Sequence, residues 1–94
     1  MSMLRLHEQT QQLFNMHRLA DALGYDRPRT WYLVHATLEA IGIGGGAPAY
    51  LIPAAYIFYE KGGRYELLFT QAQLDAAAQV RCAREAAAGH STGW

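Results

Sequence analysis

Apolar residues recur every three or four positions through two adjacent stretches of this chain, then gather into two β-prone, aromatic runs, then give way to alanine. That order predicts two helices, a pair of strands and a closing helix. In the first stretch Met16, Leu19, Ala20 and Leu23 form one stripe. Asn15 stands where a cap side chain accepts from free backbone N–H groups, and Gly24 stands where a helix end favours a left-handed residue. In the second stretch Asp26 supplies the cap, and Pro28 fills a first-turn position whose N–H would have no helical partner. Helix therefore restarts almost as soon as it stops. Trp31, Val34, His35, Leu38 and Ile41 follow at helical spacing and are predicted to form the buried face, with Trp31 and Leu38 turned inward.

Ahead of this pair, Leu4 to Phe14 reads as a first helix carried by Leu4, Leu6, Leu13 and Phe14, its polar middle left to the surface or to a partner chain. Behind it, the run IGIGGGAP ends the helix at about Gly42. Ala49 to Tyr59 and Tyr65 to Phe69 are β-prone and aromatic, and KGGR lies between them, which predicts a hairpin. Pro53 has no N–H to give a ladder, so pairing on the first strand is confined to Ala55 to Tyr59. If one hairpin face packs on helices, two or three of Tyr56, Phe58, Tyr59, Tyr65 and Phe69 must supply it. Thr70 and Gln73 have the spacing of a reciprocal cap, from which a last helix runs to about Ala88 with Leu74, Ala77, Ala78, Val80 and Cys82 to bury. Residues 89–94 are expected to form a flexible tail. The class is α+β, and a chain of 94 residues with 51% hydrophobic content fits one domain, residues 1–88.

Charge narrows the function without deciding it. Eight Lys and Arg balance eight Asp and Glu, and each quarter of the chain is itself neutral, so a basic surface has to arise by folding. Cys82 is the single cysteine, which excludes an intramolecular disulfide. The opening MSMLRLHEQTQQLF has no apolar signal-peptide core, and no run approaches a membrane span; the expectation is a cytoplasmic protein without membrane contact.

Catalytic constellations are weak. Gly42, Gly44 and Ala47 satisfy the letters of a dinucleotide fingerprint, but a helix precedes them where a strand is required, and Pro48 follows. His35 and Glu39 share a helix face without a second ligand pair, so His35 is expected to be a satisfied core histidine and no metal or cofactor is expected. Cys82 has no base near it in sequence. No enzyme is predicted.

A helix, a tight turn and a second helix make a helix-turn-helix, whose second helix meets a DNA groove first with its N-terminal residues, here Arg27, Arg29, Thr30 and either Leu33 or Tyr32. With the hairpin and closing helix added, roughly residues 15–80 resemble the winged helix-turn-helix regulators of prokaryotes and phages. The order of LADALGY, LEAIGI, YLIPAAY, KGGRYELLF and T-x-x-Q-L is similar to the C-terminal winged domain of phage antirepressors, although the glutamine expected there between proline and tyrosine is missing. The resemblance implies three to four helices, a hairpin wing, and sequence-specific binding to double-stranded DNA. It assigns Arg27, Arg29, Thr30 and Tyr32 to the major groove and Lys61 and Arg64 to the phosphates.

Each assignment has a plainer competitor. Arginines flanking a proline at a helix start are common surface residues, and Lys61 and Arg64 beside Glu60 and Glu66 suit a solubilising cross-strand pair. Exact charge balance suits a second function, a protein-binding module such as a small inhibitor of a larger machine. The arginines and the turn chemistry favour DNA. In either case a homodimer is expected, paired through the alanine-rich closing helix or the first helix.

Overall fold

The computed structural model describes residues 12–92. Strand β1 (Leu13–Phe14) leads into helices α1 (Met16–Leu23) and α2 (Arg27–Gly42). A 3-10 turn (Ala49–Leu51), strands β2 (Ala55–Tyr59) and β3 (Arg64–Thr70), and helix α3 (Gln71–Thr92) complete the described chain. The sheet is antiparallel in the order β1-β3-β2. This is a small α+β fold of three helices and three strands among the described residues.

The end of the expected first helix is corrected: Leu13 and Phe14 are strand, paired with Thr70 and Phe69, while residues 4–11 lie outside the described residues. Asn15 explains the change. It takes an extended backbone and accepts from Arg18 N–H with its side chain, so α1 begins only after it. Phe14 thereby turns into the core as Leu13 turns out, the alternation of a strand.

Helix α1 is central. Its buried Leu19 and Leu23 pack with Phe14, Val34, Leu51, Phe69, Leu74 and Ala77 into one core drawn from every layer. The predicted stripe of α1 is thus observed, but the phase of α2 is corrected. Thr30, Val34 and Thr37 are buried, whereas Trp31 is 54% and Leu38 37% exposed, and Ile41 is also exposed. The buried ridge lies about one residue round from the expected one. Thr30 can sit inside because its hydroxyl donates to Asp26 O at 2.9 Å, leaving its methyl for packing.

The caps follow the sequence closely. Asp26 Oδ1 accepts from Arg29 N–H at 2.8 Å, and Gly24 closes α1 at φ 75°, with its own N–H and that of Tyr25 bonded to Ala20 O. Thr70 N–H donates to Gln73 Oε1 at 2.9 Å while Gln73 N–H donates to Thr70 Oγ1 at 3.2 Å, the reciprocal cap. The hairpin pairs Ala55 with Leu68 through Tyr59 with Arg64, and its turn uses Gly62 and Gly63 at positive φ.

Helix α3 departs from expectation in two ways. It continues through Gly89 to Thr92, because a long alanine run carries helix across one glycine, so the expected tail is helical as far as it is described. Its inward face is also different: Leu74 and Ala77 are buried, but Cys82 is exposed. The face continues instead through Arg81 and Arg84, which reach the open end of α1. Arg81 donates to Asp21 O at 3.2 Å and Arg84 to Leu23 O at 2.7 Å. Cations on the last carbonyls of a helix satisfy them and complement its dipole.

Gly24 is required here twice over. Its φ lies in the left-handed region, and a Cβ would stand 2.9 Å from Arg81 Nε and 3.0 Å from Arg84 Nη2. Gly24→Ala is expected to lower stability by about 1–2 kcal/mol for the backbone strain alone. Urea unfolding checks this, and an unchanged midpoint would contradict it.

Candidate functional site

With Thr30, Val34 and Thr37 inward, two ridges of α2 face out. One carries Arg27, Trp31 and His35 at four-residue spacing, and the other carries Arg29 and Tyr32. Each begins with an arginine in the first turn, where the helix N-terminus already favours anions.

The first ridge forms one wall of a cleft of about 720 Å³ whose opposite wall is β3, and Asn15 to His17 close one end. Arg27 Nη1 lies 3.0 Å from His17 Nε2 and 3.4 Å from Nδ1; the guanidinium is the donor, so a single unprotonated ring nitrogen accepts. Trp31 and His35 stack with ring centroids 3.8 Å apart. His35 also spans the cleft. Its Nδ1 is 2.8 Å from Trp31 O, which can only accept, so Nδ1 carries the proton and Nε2 accepts from the Tyr65 hydroxyl at 3.2 Å in the neutral ring. His35 is therefore satisfied, as expected, but at a half-buried position between helix and hairpin and not in the core. Arg64 lies on the hairpin side of the same cleft.

The second ridge joins a cluster that the charge balance hid. Arg29 and Arg84 each place the guanidinium carbon 4.3 Å from the centroid of the Tyr25 ring, in cation–π range. Arg81 is at the same helix end, through Asp21 O. Arginines separated by more than fifty residues in sequence thus meet at the α1–α2 turn.

Of the six residues assigned from sequence, Arg27, Arg29 and Tyr32 are exposed on the first turns of α2, and Arg64 and Lys61 are exposed on the hairpin. Arg27, through His17, and Arg64 border one cleft; Arg29 belongs to the Tyr25 cluster; Lys61 sits at the hairpin turn and belongs to neither. Thr30 is corrected: it is 0% exposed and cannot reach a groove, because its hydroxyl is turned into α2's own first carbonyl. Among the described residues the one ion pair is Arg81 with Glu85, so none of Arg27, Arg29, Lys61 and Arg64 is neutralised by a bonded carboxylate. Asp26 is nearby, and its Oδ1 accepts from Arg29 N–H at the cap of α2.

Sequence reading missed His17, Tyr25, Arg81 and Arg84. The two arginines were legible in principle. Leu74, Ala77, Arg81 and Arg84 follow a three-four-three spacing that continues one helix face, and an arginine stem can extend an apolar stripe. His17 and Tyr25 act through contacts across elements, for which the sequence carries no local signal.

No family model, curated protein or solved structure matches the chain. Among the described residues no helix is long and apolar enough to cross a membrane.

Proposed function

We propose that this domain binds double-stranded DNA as a winged helix-turn-helix module, with the exposed first turns of α2 entering the major groove and the β2–β3 hairpin lying over phosphates. The observation that carries the reading is the arginine cluster. A chain with no net charge draws Arg29, Arg81 and Arg84 to the α1–α2 turn, beside the N-terminus of an exposed helix, and leaves Arg27 and Arg29 without bonded carboxylates among the described residues. The chemistry suits the division of labour in such complexes. Arg27, Arg29 and Tyr32 stand where base edges are read, while Arg64 and Lys61 on the hairpin have the reach of phosphate anchors.

Fluorescence anisotropy against duplexes from the protein's genetic neighbourhood, at two salt concentrations, tests this. Arg29→Ala is expected to weaken the preferred sequence by about 1–3 kcal/mol relative to unrelated DNA, whereas Arg64→Ala should weaken all sequences alike and reduce the salt slope by about one. No binding tighter than micromolar at low salt, with the fold intact, would reject the reading. A protein-binding function would then be preferred, supported by the aromatic residues left exposed on the hairpin and on α2.

A further inference from the structure

Strand β2 is at an edge of the sheet. Among the described residues it pairs with β3 alone, and its other side carries no strand. Natural edge strands are usually blunted by charge, by proline within the strand, by a bulge or by a covering element. Ala55–Tyr59, AYIFY, has no charge and no proline, and its last four residues are between 43% and 69% exposed.

Both faces of this strand are apolar. Cross-strand partners share a face, so Tyr56 and Phe58 lie with Leu67 and Tyr65, while Ile57 and Tyr59 lie on the other face with Glu66 and Arg64. Phe69 and Leu67 are drawn toward the core at the far end of β3, but the rings beyond them, Tyr56, Phe58 and Tyr65, are exposed among the described residues. Covering one face with a helix would leave the other bare. Extending the sheet by another strand serves both.

We infer that β2 pairs antiparallel with β2 of a second copy of this chain, about a two-fold axis at Ile57, joining the two sheets edge to edge. The register follows from the strand. Pro53 has no N–H for a ladder and the Gly62–Gly63 turn ends the strand on the other side, so the segment free to pair is centred near Ile57. This register sets Tyr56 opposite Phe58 of the second copy and Ala55 opposite its Tyr59. Two Tyr–Phe pairs then meet on one face, and the absence of charge means that self-pairing sets no like charges against each other.

The exposed area suits a small isologous dimer. At about 150–250 Å² for a whole aromatic side chain, Tyr56, Phe58 and Tyr59 of the strand itself expose roughly 250–450 Å² per protomer. Ile57 and the open backbone edge add to this, which places the contact at the small end of specific interfaces, below the roughly 800 Å² per partner of a standard one. The occupant is a second copy because the strand is complementary to itself in length, polarity and charge. The inference is separate from the DNA reading, since a monomer that binds DNA rejects only the dimer.

Sedimentation equilibrium of the full chain at micromolar concentration is expected to give twice the 10.5 kDa of the protomer. Ile57→Lys sets two ammonium groups opposite each other on the axis and should raise the dissociation constant about tenfold or more, with circular dichroism unchanged because Ile57 is exposed. Ala83→Lys, on the exposed face of α3, should leave the dimer intact. As a direct measure, Ile57→Cys in a Cys82→Ser background should give a covalent dimer under mild oxidation, because directly opposed residues lie close to disulfide distance. A parent that sediments only as a monomer overturns the inference. So does a dimer broken by Ala83→Lys but not by Ile57→Lys, which would place the contact on the alanine-rich helix.

Discussion

Phe69→Ala is expected to lower stability by about 3–5 kcal/mol, the largest effect of any single truncation in this fold. Phe69 is 0% exposed, it stands opposite Phe14 in the β1–β3 pair, and it belongs to the cluster formed by Leu19, Leu23, Val34 and Leu74. Removing its ring empties the junction of sheet and helices, and a domain of this size has only about 5–15 kcal/mol to lose. Trp31→Ala provides the contrast. Trp31 is the larger residue, but it is 54% exposed, and its ring stacks on that of His35. Its loss should cost about 1 kcal/mol or less. Denaturant unfolding at a fixed protein concentration measures both. Equal midpoints for the two variants would contradict the outward position of Trp31 on α2.

The comparison of these two rings shows where the sequence was readable. The sequence marks Phe69 only as one of five candidates for a buried hairpin face, because alternation cannot say which end of a hairpin meets the helices. Its pairing with β1 decides that, and β1 lies where the pattern of Leu13 and Phe14 read equally as helix. The apolar spacing turns Trp31 inward because it is apolar and Thr30 is not. The assignment fails on a single bond: the Thr30 hydroxyl is satisfied by Asp26 O, so the polar residue buries at little cost and the helix rotates to suit it.

Short-range chemistry, by contrast, was legible at atomic detail. Asn15, Gly24, Asp26 and the Thr70–Gln73 pair all act as their spacing implied, since a cap depends on residues within one turn. The candidate site divides in the same way. Arg27, Arg29 and Tyr32 were found from their place at a helix start, whereas Arg81 and Arg84 join them through contacts that span the whole fold.

Gln73 should give the second large effect, because it does more than the cap required of it. Its carbonyl oxygen accepts from Thr70 N–H, and its amide nitrogen donates to Ala49 O at 2.9 Å and also to Ile52 O, at the two ends of the 3-10 turn. One side chain thus starts α3 and fastens the glycine-rich connection that leads from α2 into the hairpin, keeping Leu51 in the core. At about 0.5–1.5 kcal/mol for each bond, Gln73→Ala should cost roughly 2–4 kcal/mol. Gln73→Glu separates the two roles. A glutamate retains the acceptor for Thr70 N–H, as in the usual capping box, but presents a carboxylate in place of the amide donor to the two carbonyls. At neutral pH it should be nearly as destabilising as alanine. Acidification should restore part of the loss, because a carboxyl made harder to ionise by those carbonyls takes up its proton more readily in the folded state, and stability then rises as pH falls. Thermal unfolding of parent, Gln73→Ala and Gln73→Glu at neutral and mildly acidic pH tests this, and a Gln73→Glu variant as stable as the parent at neutral pH would show that the cap alone matters.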